Sequence, residues 1–198
     1  MSEYIKRVTN RNKISFIKGI IGRLIPYIKY SYNRKLAKKN GAIIGVGSII
    51  PYKLAKNANS NLIIGDFCSI QTSKIDLRSQ VKIGNHVIIG ENVEIIVASH
   101  NIDSTEWFLK LYGIEIDDYV WIATKALILP SCRHIAKGSV VAGGSVVAKN
   151  VNEMDVVSGN PAVVIKKRNT VHSDLVVPSL LGGDLAIYFN TYMHHEKN

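Results

Sequence analysis

The chemistry-bearing residue with the most telling surroundings is His100. It directly follows Ser99 and directly precedes 101–115, NIDSTEWFLKLYGIE, the longest departure from an otherwise regular pattern in the middle of this 198-residue chain. A neutral imidazole, with an ordinary pKa near 6.5, takes up a proton at physiological pH, and as a general base contributes about 10²- to 10⁴-fold to a rate. A lone histidine is ordinarily structural, but at the foot of an excursion from a repeat, where loops project, the catalytic role is favoured. A backbone carbonyl would orient such a ring as well as a carboxylate would, and Glu94, Asp103 and Glu115 are the nearby acidic candidates. The other histidines lack this setting. His86 adjoins Val87 and reads as structural or surface, His134 reads as a corner bulge, and His172, His194 and His195 lie in the tail with no metal-ligand spacing. Cys68 and Cys132 read as two buried thiols rather than a disulfide or a metal pair, and no metal is expected.

The pattern that His100 interrupts has a period of six. Aliphatic residues fall at Ile44 and Ile50, Ile64 and Ile70, then Ile83, Ile89 and Ile95, Ile116, Ile122 and Ile128, and Ile135, Val141 and Val147. Four residues after them stand small or β-branched residues, among them Ser48, Cys68, Val87, Val93, Ser99, Val120, Ala126 and Cys132, with Leu54 and Lys74 departing. One residue after them stand Gly45, Gly65, Gly84, Gly90, Ala123, Ala136, Ala142 and Ala148, where a tight corner disfavours a bulky side chain. Neither a helix nor a flat strand has this period. Two short strands and a corner per hexad give a solenoid whose aliphatic column stacks from coil to coil, three sides making a triangular prism. Residues 51–63 and 71–82 keep the beat poorly and read as loosely matched coils or short loops.

On four segments the chain resembles the left-handed parallel β-helix acyltransferases built on hexapeptide repeats, in the branch of maltose, galactoside and exopolysaccharide O-acetyltransferases. These are VASHNID at 97–103, DDYVWIATKALILP at 117–130, SVVAGGSVVAKNV at 139–151 and SGNPAVVIKKR at 158–168. The resemblance implies an all-β solenoid, a homotrimer with sites between neighbouring prisms, and acetyl-CoA as co-substrate with no metal. It implies that His100 is the general base, removing the proton of a sugar hydroxyl as that oxygen attacks the thioester. Trp121 matches a tryptophan bordering the acceptor and pantetheine. Gln71 falls nearest an acceptor-contacting asparagine that has no clear match here. Thr124 and Gly143 match positions whose backbone N–H groups meet the pantetheine arm, Pro161 ends the coil, and Lys149, Lys166, Lys167 and Arg168 offer cations to the phosphates of CoA. Trp107, Phe108 and Tyr112 of the excursion suit packing on an adjacent subunit better than stacking on a sugar.

The sequence divides into a basic helical segment at 1–40, the solenoid at 41–168 with its loop at 101–115, and a capping tail at 169–198. The first 40 residues hold eleven Lys or Arg and one acid, Glu3, which accounts for the whole net charge of +10. Phe16, Ile20, Leu24 and Ile28 recur at four-residue spacing, so 14–30 is expected to be an amphipathic helix around Pro26. Packing on the prism or a neighbouring subunit is its first reading, and attachment to an anionic membrane surface its second. It carries no nucleic-acid motif, and none of the chain reads as a transmembrane span or a signal peptide, so a cytoplasmic location is expected. The apolar middle of 169–198 is expected to cover the open end of the prism. Two other functions stay open: an N-acetyltransferase on an amino-sugar nucleotide, and a catalytically silent β-helix scaffold.

Overall fold

The computed structural model describes residues 3–174, 177, 179 and 181–195. Its middle is a three-sided parallel prism. Sheet A is built from β1 (Ile43–Ile44), β2 (Leu62–Ile64), β5 (Val81–Ile83), β10 (Ile114–Ile116) and β13 (His134–Ile135). Sheet B takes β3 (Ser69–Ile70), β6 (Ile88–Ile89), β11 (Trp121–Ile122), β14 (Val140–Val141), β16 (Asp155–Gly159) and β17 (Ala162–Lys167). Sheet C takes β4 (Lys74–Ile75), β7 (Glu94–Ile95), β12 (Leu127–Ile128) and β15 (Val146–Val147). Register aligns the six-residue column on itself. Ile64, Ile83, Ile116 and Ile135 stand in line on sheet A, Ile70, Ile89, Ile122 and Val141 on sheet B, and Ile75, Ile95, Ile128 and Val147 on sheet C.

All of these side chains belong to one buried cluster with the small-residue column, including Cys68, Val87, Ala126 and Cys132. Burying each large aliphatic is worth about 1.5–3 kcal/mol, which is why the period persists through so many coils. Both cysteines are free, and burial pushes their thiols up, to about 12 for Cys68 and about 11 for Cys132. The glycine after the aliphatic answers to its neighbour coil: a Cβ on Gly84 would lie 2.8 Å from the backbone nitrogen of Asp118. Three places after the aliphatic the backbone turns left-handed, at Phe67, His86 and Tyr119 as well as at glycines.

Several local expectations change. Residues 52–57 are a helix, α3 (Tyr52–Asn57), and Leu54, out of step as a coil residue, is buried from it. Ser99 leaves the small-residue column and is exposed, because the chain departs from the coil at β8 (Ala98–His100) and returns antiparallel through β9 (Leu109–Leu111). The excursion is therefore a hairpin. His134 is in strand rather than a bulge, and the extra residue of its seven-residue step is taken up in the turn at Pro130–Ser131.

The N-terminal segment forms α1 (Glu3–Thr9) and a 27-residue helix, α2 (Lys13–Lys39), which starts at an Asn12 cap accepting the Ser15 N–H at 2.8 Å and continues through Pro26. Its C-terminal half closes the first coil: Ala37 joins the prism core, Asn33 donates to the Ile50 carbonyl and Arg34 to that of Ser48. Its N-terminal half behaves differently from the expected stripe. Phe16 is buried and Ile20 partly so, while Leu24 and Ile28 are exposed.

Among the described residues the C-terminal end of the prism is finished by the β16–β17 hairpin rather than by the tail. From Arg168 it runs back along the edge between sheets A and B. Arg168 Nη1 donates to the carbonyls of Tyr119 and Gly138, His172 Nε2–H donates to the His86 carbonyl at 2.7 Å, and the Tyr119 hydroxyl donates to Asp174. The tail then ends in α4 (Leu185–His195), which packs on α1 and α2. Phe16 stacks between Tyr188 and Tyr192, and the buried Asp184 accepts from Tyr4 at 2.6 Å and pairs with Arg23 at 2.8 Å. Meeting those helices, the tail buries Tyr188 and Tyr192.

Candidate active site

His100 ends β8, at the edge between sheets C and A, and its ring stacks on Trp107 with centroids 4.7 Å apart. Its Nδ1 lies 2.8 Å from the Trp107 carbonyl oxygen. A carbonyl only accepts, so Nδ1 carries the proton and Nε2 is left with a lone pair. Nε2 has no partner among the described residues. This is the tautomer a general base requires. The hairpin makes the contact possible: β8 and β9 pair His100 with Leu109, and Trp107 turns left-handed just before β9 to aim its carbonyl back. None of the three candidate carboxylates orients the ring. Glu115 pairs with Lys82, which holds it below the usual carboxylate range, while Glu94 sits outward on sheet C and Asp103 is exposed in the hairpin turn.

The acceptor- and CoA-side candidates mostly gather on the edge between sheets B and C. Gln71, Gly90, Ala123 and Ala142 occupy equivalent corner places on successive coils, linked by hydrogen bonds such as Ala123 N–H to the Val141 carbonyl. Gln71 turns its amide toward the Ser69 hydroxyl at 3.3 Å. Thr124 and Gly143 follow in the same corners and are exposed, a Cβ on Gly143 falling 3.2 Å from the Thr124 carbonyl oxygen. Among the described residues the N–H groups of Thr124 and Gly143 have no acceptor, whereas that of Ala123 donates to Val141 on the next coil and that of Gly144 to Thr124 on the preceding one. Trp121 stands outward on sheet B beside this edge, 45% exposed.

The structure keeps His100 apart from that group. Sheet C spans the distance between the edge carrying His100 and the edge carrying Thr124 and Gly143. Lys149 shares the His100 edge two coils further on, and with Pro161 lines a recess of 280 Å³ at the end of the prism. Pro161 follows a cis peptide bond in the turn of the β16–β17 hairpin. Lys166 is exposed on β17, Lys167 pairs at 2.8 Å with the buried Asp155, and Arg168 is committed to the tail contacts.

Two arrangements went unread in the sequence. Of its two readings His86 takes the structural one, in an arrangement the sequence did not specify: it is stacked between Phe67 and Tyr119, and its Nδ1 is buried without a partner among the described residues. His134 Nε2 lies 3.0 Å from Asp117 on sheet A. The left-handed corner residue on each coil could have signalled the first, since Phe67, His86 and Tyr119 share one place in the repeat. Nothing local signals the second.

No protein-family profile matches the chain. It is 40% identical over 115 residues to a provisionally named acetyltransferase of Saccharomyces cerevisiae, a match covering 54% of this chain and 57% of that one. It is 29% identical over 144 residues to a galactoside O-acetyltransferase of Lactococcus lactis, covering 68% and 67%. Over 144 residues it is 28% identical to the provisionally named colanic acid biosynthesis acetyltransferase WcaF of Escherichia coli, covering 72% and 79%. The match thus spans little more than half of the yeast relative's own length. Among solved structures, a hexapeptide-repeat acetyltransferase of Vibrio cholerae in complex with acetyl-CoA superposes with a TM-score of 0.60 at 25% identity, covering 85% of this chain and 91% of that one. The prism described above is the left-handed β-helix of these structures.

Proposed function

We propose that the chain is a hexapeptide-repeat acetyltransferase, as its relatives and structural neighbours are named, and that it transfers the acetyl group of acetyl-CoA to a hydroxyl of a sugar acceptor in surface polysaccharide synthesis. The observation that carries the reading is the hydrogen bond from His100 to the Trp107 carbonyl, which leaves Nε2 free to take a proton. A relative named for galactoside acetylation and another named for colanic acid biosynthesis support the acceptor class.

In this mechanism the acceptor hydroxyl gives its proton to His100 Nε2 as its oxygen forms a bond to the acetyl carbonyl carbon. The C–S bond then breaks, and the proton passes from Nε2 to the departing thiolate of CoA. The pantetheine arm lies along the edge between sheets B and C, its amide carbonyls accepting from the free N–H groups of Thr124 and Gly143. Lys149 and Lys166 meet the phosphates, Pro161 shapes the end of the groove, and Lys167 does so only by leaving Asp155. Trp121 and Gln71 border the acceptor.

One prism holds the base and the pantetheine edge on either side of sheet C, so the complete site draws on two chains, and the assembly proposed is a homotrimer. Residues 41–168 carry the reaction, with 1–40 and 169–198 as accessory segments. A cytoplasmic location, with residues 1–40 at the inner face of a membrane, is part of the same proposal. Among the described residues no helix is long and apolar enough to cross one.

Replacing His100 by Ala is expected to lower acetyl transfer to the best of a panel of sugars about 10²- to 10⁴-fold. Thiol release from acetyl-CoA, followed with a colorimetric disulfide reagent, is the measurement. Undiminished turnover would remove the base.

A further inference from the structure

Helix α2 is apolar on two sides. One side, with Phe16, Gly19 and Ala37, is buried against α4 and the first coil. On the other, Ile14, Ile17, Ile21, Leu24, Ile25, Ile28 and Tyr32 are all exposed, Ile14 at 68% and Ile25 at 75%. At 3.6 residues per turn these seven fall within a strip ~100° wide and more than two turns long, roughly opposite the buried side. Contiguous exposed apolar strips of this kind mark interaction surfaces.

Charge selects the partner. The helix holds Lys13, Lys18, Arg23, Lys29, Arg34, Lys35, Lys38 and Lys39 and no acidic residue. Lys18 and Lys29 flank the strip on one side and Lys13 on the other, all three exposed. Packing the strip on the same strip of a second copy would set these cations against one another with no acid to offset them. An anionic lipid surface satisfies both features at once, taking the isoleucines into the boundary between headgroups and acyl chains and the lysines among the headgroups.

We propose that α2 is a membrane-surface helix that lies flat on anionic lipid through this strip. The prism then stands off the bilayer from its first coil, because α2 closes that end through Ala37, Asn33 and Arg34. The inference does not depend on the acceptor or on acetyl-CoA.

The test is co-sedimentation of the full chain with vesicles of phosphatidylcholine alone and of phosphatidylcholine mixed equally with phosphatidylglycerol. Sedimentation with the anionic vesicles only is expected. Lys18→Gln and Lys29→Gln should each weaken it about fivefold. The triple variant Ile17→Gln, Ile21→Gln, Ile28→Gln should abolish it while keeping the parent's oligomeric mass by analytical ultracentrifugation. These side chains are exposed, so the fold survives, and acetyl transfer to a soluble sugar is unchanged by either set. Absent binding, equal binding to both vesicles, or a fall in oligomeric mass in the triple variant would overturn the proposal, the last outcome assigning the strip to a second copy of the chain.

Discussion

Two edges of the prism have the same corner backbone and opposite fates. On the edge between sheets A and B the left-handed places hold Phe67, His86 and Tyr119, stacked on one another and strapped down by residues 168–174. On the edge between sheets B and C the left-handed places hold Asn92, Lys125 and Gly144, with no aromatic stack and no returning strap among the described residues, and Thr124 and Gly143 beside them are exposed. The repeat alone does not decide which edge receives a ligand. Side-chain bulk and a returning tail close one groove, and the Thr124–Gly143 corner of the other, the edge proposed for pantetheine, stays exposed.

The largest effect expected from breaking this contrast lies at the anchor of the strap. Asp184 is 1% exposed and serves both Arg23 and Tyr4, whose hydroxyl is held well above the usual phenol range by its burial and this bond. Asp184→Ala should cost about 3 kcal/mol in urea unfolding, because it strands a buried phenol and a half-buried guanidinium.

Two glycines at different places of their corners probe the two edges. Gly84→Ala drives a Cβ against the Asp118 backbone on the closed edge and should cost about 1–3 kcal/mol, with the KM for acetyl-CoA little changed. Gly143→Val on the other edge, whose Cβ falls 3.2 Å from the Thr124 carbonyl oxygen, should cost about 1 kcal/mol or less in urea unfolding. It should raise the KM for acetyl-CoA at least tenfold, since the branched side chain would occupy the path proposed for pantetheine. Reversal of these two results would exchange the roles of the edges.

The smallest effect is a pH dependence confined to the strap. Burial lowers the pKa of His172, its bond to the His86 carbonyl opposes this, and the neighbouring Arg168 guanidinium adds to the lowering. The folded chain therefore resists a proton that the unfolded chain accepts near pH 6.5, so stability is full above that pH and falls on acidification. Unfolding midpoints taken between pH 7.5 and 5 should decline in the parent and decline less in His172→Gln, whose amide still donates to His86.

What the sequence made legible follows from what is local and periodic. The six-residue column prescribed the prism because Ile83, Ile89 and Ile95 meet Ile116, Ile122 and Ile128 one coil away. His100 stood out because the hairpin removes it from that column. The group orienting His100 was hidden, since a main-chain oxygen has no letter in the sequence. The route of the tail was hidden as well: Arg168 and His172 bond to carbonyls of Tyr119 and His86, 49 and 86 positions away, and no spacing rule reaches that far. The outward face of α2 was misassigned because Leu24 and Ile28 continue the rhythm of Phe16 while the helix rotates them away from α4.

The grip on His100 has one more consequence. Every amino acid owns a carbonyl, so the proton-accepting nitrogen is set by the shape of the hairpin and not by the identity of any side chain within it. Under the proposed mechanism, residues 101–112 are thereby released to diversify toward other acceptors while the orientation of His100 stays still.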